Sequence, residues 1–78
     1  MLLDVVGVEA QADHVLLVQF ENGERRSFDM TPYLDKGVFT ELKDMRRFKL
    51  ARVEYGTVVW PGEIDIAPET LYDRSSPV

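Results

Sequence analysis

Asn22-Gly23 stands between two stretches in which apolar and polar residues alternate, and this commits the first third of the chain to an antiparallel hairpin. His14 to Phe20 reads as one strand, with Leu16, Val18 and Phe20 on a single face. Arg25 to Met30 reads as its partner, with Arg26, Phe28 and Met30 together. The length of the turn decides the register. A two-residue loop would set Val18 beside Ser27 and Leu16 beside Asp29, mixing apolar with polar. A three-residue loop with Gly23 in the left-handed bulge position sets Phe20 opposite Glu24, Val18 opposite Arg26 and Leu16 opposite Phe28. A slip of one residue moves every side chain to the other face, so the longer loop is expected.

Val5 to Ala10 reads as a preceding strand, with Val6, Val8 and Ala10 on one face and Val5, Gly7 and Glu9 on the other; Gln11-Ala12-Asp13 is the turn after it. Thr31-Pro32 is a helix start, a capping hydroxyl followed by proline, and Gly37 ends that short turn. Val38, Leu42 and Met45 recur at helical spacing, which predicts one helix over Val38–Phe48 with a break near Asp44. Leu50–Glu54 and Thr57–Trp60 flank Tyr55-Gly56 as a tight hairpin pairing Val53 with Val58 and Ala51 with Trp60. Ile64 and Ile66 form a short extended piece. Pro68–Tyr72 is a last helical turn with the poorly capping Ala67 before it. The expected fold is one α+β domain over residues 1–78: a two-layer arrangement of three-stranded meander, helix packed across the sheet, β-hairpin and short C-terminal helical turn, with residues 73–78 a flexible tail.

Chemistry is sparse. The chain has no cysteine, which removes disulfides, thiolate metal sites and thiol nucleophiles. His14, the only histidine, begins a strand beside a turn and could supply one metal-ligating nitrogen where three or four ligands are needed. The plentiful groups are carboxylates. Asp29, Glu63, Asp65 and Glu69 would form an acid–base or cation-binding cluster if the Trp60-Pro61 corner folded back on the third strand; otherwise they cap turns. No phosphate-cradling loop or dinucleotide fingerprint is present. The expectation is a chain without enzymatic activity, cofactor or metal.

Net charge is −5, which argues against direct nucleic-acid binding. Six of the nine basic residues nevertheless fall between Lys36 and Arg52. That segment is either a solvated face or a contact patch for an acidic partner. Val15 and Leu17 lie on the outer side of the second strand, beside Val5, and make a small apolar patch if that face is open. The candidate interface is therefore Val15, Leu17, Lys43, Arg46 and Arg47. The start of the chain, Met1-Leu2-Leu3-Asp4, shows no targeting pattern and no apolar run approaches the ~20 residues of a membrane span, so a cytoplasmic location is expected.

A set of positions along most of the chain carries a resemblance: Phe20-x-Asn22-Gly23-Glu24, Phe28-Asp29, Pro32-x-Leu34, Gly37-x-Phe39, Leu42-x-Asp44, Phe48, Thr57-Val58-Val59-Trp60-Pro61, and Asp65-x-x-Pro68-Glu69-x-Leu71-Tyr72. The chain resembles the short bacterial proteins of domain-of-unknown-function family 2442 (DUF 2442). The resemblance implies a small α+β domain with no established catalytic residues. Some relatives carry a helix-turn-helix domain after this module, which has no counterpart up to Val78. Short members often lie beside a gene of another uncharacterised family (DUF 4160), in an arrangement resembling a toxin–antitoxin pair. The expected role is a non-catalytic protein-interaction module, the neutralising partner of a toxin-like small protein. The alternatives are an accessory or homodimerising module of a transcriptional regulator, and a ligand-binding or hydrolytic domain built on the four carboxylates.

Overall fold

The turn at Asn22-Gly23 has three residues. Phe20 N–H donates to the Glu24 carbonyl at 2.9 Å, and Gly23 takes a φ of +90°, the left-handed region that favours glycine. The structure, a computed structural model, describes residues 3–78, so Met1 and Leu2 of the expected leader-free start lie outside the described residues. In chain order the strands and helices are β1 (Val5–Gln11), β2 (Val15–Phe20), β3 (Arg25–Asp29), α1 (Met45–Phe48), β4 (Arg52–Glu54), β5 (Thr57–Trp60), β6 (Ile64–Ile66), α2 (Pro68–Asp73) and β7 (Ser76–Pro77). Single 3-10 turns occupy Ala12–His14 and Thr31–Tyr33, and a seven-residue 3-10 helix occupies Gly37–Lys43. Two antiparallel sheets result, one ordered β1-β2-β3-β7 and one β4-β5-β6. This is a small α+β domain.

The expected register of the first hairpin is the observed one, with Val18 opposite Arg26 and Leu16 opposite Phe28. In β1 the parity differs. Val5 pairs with Phe20 and Gly7 with Gln19, so Val6 is an extra residue in a bulge. The bulge turns Val5 inward, to join Val8 and Ala10 at the core, and leaves Val6 55% exposed. Val5 therefore does not extend an outer apolar patch with Val15 and Leu17.

The segment expected as one helix is shorter and tighter. Gly37 at φ +49° opens it and Asp44, at ψ 114°, breaks it. Between them lies the 3-10 helix, in which Thr40 Oγ1 donates back to the Gly37 carbonyl, and only Met45–Phe48 is α-helical. The capping at Thr31 also differs. The Thr31 hydroxyl makes no cap bond; Asp29 Oδ1 accepts the Thr31 N–H at 2.9 Å. The end of the chain is docked: Ser76 and Pro77 pair with Ser27 and Arg26 of β3, and Ser75 is buried.

One core joins the two sheets. Leu16, Val18, Phe20 and Phe28 of the first meet Val58, Trp60, Ile64 and Ile66 of the second, with Leu42, Phe48 and Leu71 filling in from the connections. The β4–β5 hairpin keeps the expected register, with Val53 opposite Val58 around the two-residue turn, but β4 begins at Arg52, so Leu50 and Ala51 lie outside it and the ladder stops short of an Ala51–Trp60 pair. Its tip touches the start of β1, where Val5 N–H donates to the Gly56 carbonyl at 2.8 Å. Gly56 itself takes a φ of +74°, the left-handed region that favours glycine, and a side chain there would also have to displace the exposed Asp4 carboxylate. Tyr55 precedes it at φ +55° and 96% exposed, a conformation that costs a non-glycine residue roughly 1–2 kcal/mol. Asparagine tolerates this position and is favoured in such turns. Tyr55→Asn should therefore raise the thermal unfolding midpoint by about 5 °C, read by circular dichroism; an unchanged or lower midpoint contradicts the strain at this turn.

Candidate functional site

Asp44 organises the basic segment. As the break between the 3-10 helix and α1, it turns its carboxylate to the first helical turn, where Oδ1 accepts the Arg46 N–H at 2.9 Å. The Arg46 guanidinium folds back on the same carboxylate more loosely, at 3.3 and 3.4 Å. Arg47 Nη1 donates to Glu41 at 2.8 Å, Lys43 pairs with Asp35 at 2.7 Å, and Arg52 pairs with Glu54. The side-chain hydrogen bond and charge of Arg46 hold the Asp44 carboxyl below the usual carboxylate range, and Lys43 does the same for Asp35. The basic run is thus laced with its own carboxylates. Exposed pairs of this kind, screened by solvent, add little to stability.

Arg46 and Arg47 rim a groove of about 450 Å³ between α1 and the turn that joins β5 to β6. Its apolar lining is Leu50 and Pro61, which are exposed, with the buried Leu42, Trp60 and Ile64 beneath them. Trp60 is only 2% exposed, held by its Nε1–H donating to the Phe48 carbonyl at 3.0 Å and by stacking on the Phe48 ring. Leu50, in contrast, is 53% exposed. Lys43, Val15 and Leu17 are not part of this lining.

Val15 and Leu17 are half-buried on the outer face of the first sheet. Val15 sits between Gln11 and Asp29, and Leu17 between Glu9 and Ser27. Leu17, Gly7, Gln19 and Arg25 border a shallow hollow of about 240 Å³. The apolar patch expected here is two residues in a polar surround.

The four carboxylates stay apart as a metal site: among the described residues no group of three or more acidic or histidine side chains is placed to hold an ion. Asp29 is engaged with Thr31, whose N–H and hydroxyl hold its carboxyl below the usual range. Asp65 is exposed on β6 opposite Val59, and Glu63 and Glu69 are exposed. The expected corner does not fold back on β3, because β6 pairs with β5 instead. His14 is less free than a turn histidine should be. Its ring packs on Phe48 at 5.0 Å, and its Nε2 lies 3.1 Å from the Lys43 carbonyl.

One cluster escaped the sequence reading. The Arg26 guanidinium lies 4.4 Å over the Tyr72 ring, donates to Glu24 at 3.0 Å, and donates to Ser75 Oγ and the Ser75 carbonyl at 2.7 and 2.8 Å. The Tyr72 hydroxyl donates to Glu24 at 2.5 Å. The signal was Arg26 itself, a charge on an otherwise apolar face that demands a partner. The Tyr72 hydrogen bond, followed by those of Asn22 and Arg26, lowers the Glu24 pKa. A carboxylate with a lowered folded pKa stabilises above its unfolded pKa, and that contribution is lost as pH falls through the folded value. Tyr72→Phe should therefore be less stable than the natural chain at pH 6, and the gap should close as pH falls below about 4. A gap that persists in acid, measured by urea unfolding at each pH, contradicts the link.

Among the described residues no helix is long and apolar enough to cross a membrane. A family described as protein of unknown function (DUF2442) matches residues 5–77. No curated protein and no solved structure matches the chain.

Proposed function

The chain belongs to the family described as protein of unknown function (DUF2442), and on that premise we propose that it is a non-catalytic protein-interaction module that docks its partner in the groove beside α1. The observation that carries this is the union of an apolar wall, the exposed Leu50 and two arginines on one rim. Interfaces concentrate their energy in such places, where a packed apolar centre is ringed by polar groups and arginine is enriched. The gene arrangement implied by the family resemblance supports a toxin-like partner, which the module would neutralise in the cytoplasm.

The test is capture of partners by the tagged chain from its native host at low and moderate salt, followed by purification of the complex. A single stoichiometric protein whose binding weakens with salt is the expected result. No protein bound to a folded chain at either salt contradicts it. A second reading, a homodimerising accessory module, draws on the half-buried Leu17 and the hollow beside it. It requires a dimer at micromolar concentration by light scattering.

A further inference from the structure

The groove's make-up restricts what can fill it. Its lining carries two bases and one acid, in a chain whose net charge is −5, and the exposed Lys49 lies two residues beyond Arg47. An acidic segment approaching this protein is repelled by most of the surface and admitted here, which fixes both position and orientation. The apolar surface open here is that of Leu50 and Pro61, so the segment must also bring apolar side chains. A nucleic acid suits the site poorly. The only tryptophan is buried and offers no exposed ring for base stacking, and the overall charge opposes a polyphosphate.

Arg46 is the group that can receive the carboxylate. Its side chain is 92% exposed, and its contacts to Asp44, at 3.3 and 3.4 Å, are longer than the ~2.7–2.9 Å of a tight charge-assisted bond. Asp44 meanwhile has a second task, accepting the Arg46 backbone N–H at 2.9 Å, and keeps it when the guanidinium turns away. Arg47 is held more tightly, at 2.8 Å from Glu41.

Resting on the docking function above, we propose that the occupant is a short segment of a partner protein with aliphatic side chains next to a carboxylate. That carboxylate takes the Arg46 guanidinium from Asp44 while the aliphatic side chains lie against the exposed Leu50 and Pro61.

Selection of short random peptides displayed on phage against the full chain tests this, with the selected peptides then titrated against Trp60 fluorescence. The expected winners combine Leu, Ile or Phe with Asp or Glu, shift Trp60 emission, and bind more weakly as salt rises. Arg46→Glu should weaken them by at least about tenfold, and Arg46→Lys should retain most of the binding. Asp44→Asn keeps a helix-capping side chain and removes the competing charge, so it should tighten binding severalfold. Winners without a carboxylate, weaker binding to Asp44→Asn, or oligonucleotides or a second copy of the chain displacing the peptides would overturn the proposal. The broader function fails separately. If a natural partner is captured and neither groove variant affects it, the groove is not the docking site; if the partner depends on the groove and the winning peptides have another chemistry, only the identity of the occupant is wrong.

Discussion

Trp60→Ala should leave the chain without a cooperative unfolding transition at room temperature. Trp60 heads the fully buried side chains by volume and links the second sheet to α1 through Phe48. Removing a buried tryptophan costs about 3–5 kcal/mol. The Phe48 carbonyl would also lose the indole donor, a hydrogen bond worth roughly 0.5–1.5 kcal/mol, and keep only the longer one from the Ala51 N–H at 3.3 Å. Domains have total stabilities of ~5–15 kcal/mol, and a 78-residue chain belongs near the lower end because it buries a smaller fraction of its surface. The two losses together consume that margin. Trp60→Phe keeps most of the apolar area and loses the donor, so it should unfold cooperatively with a midpoint lowered by on the order of 10 °C. Far-ultraviolet circular dichroism against urea separates these outcomes. A Trp60→Ala chain with a normal transition within a few degrees of the natural one contradicts the placement of Trp60 at the centre of the core.

The second large effect is on binding. Arg46→Glu combined with Arg47→Glu should reduce affinity for the docked partner by about 10–100-fold. The same change should move the unfolding midpoint little, because the pairs it breaks, with Asp44 and Glu41, are exposed. Val15→Asp with Leu17→Asp provides the contrast on the outer sheet face and should leave the partner bound. Affinity measured by titration calorimetry with the captured partner gives both results. Full binding by the arginine double variant, with loss of binding by the Val15 and Leu17 pair, places the interface on the sheet.

The first hairpin and the second were legible in the sequence because period-two alternation leaves one register that keeps Leu16 and Phe28, or Val53 and Val58, together. The bulge at Val6 was not. Val5 and Val6 are identical in chemistry, so no pattern says which one turns inward. The helix over Val38–Phe48 was half legible. The apolar spacing and the break at Asp44 were visible, but over only seven residues a 3-10 helix spaces its apolar side chains closely enough to an α-helix that the pattern does not separate them. The docked end was hidden because its partner, Arg26, lies 49 residues away from Ser75. At the candidate site, the sequence identified Arg46 and Arg47. It could not assign their counter-ions or bring Leu42, Leu50, Trp60 and Ile64 to the same rim, since that requires the β5–β6 turn to lie against α1. The carboxylate cluster failed for the same reason. It depended on where one corner folded, and strand pairing sent that corner elsewhere.

The most direct test of the docking site is photo-crosslinking in the native host from a benzophenone amino acid placed at Leu50, on the groove, or at Gln19, on the outer sheet face. Both positions are exposed, so neither substitution disturbs the core. A defined protein adduct from Leu50 and none from Gln19 is the predicted result. An adduct from Gln19 alone would contradict it and make the outer face of the first sheet the working surface.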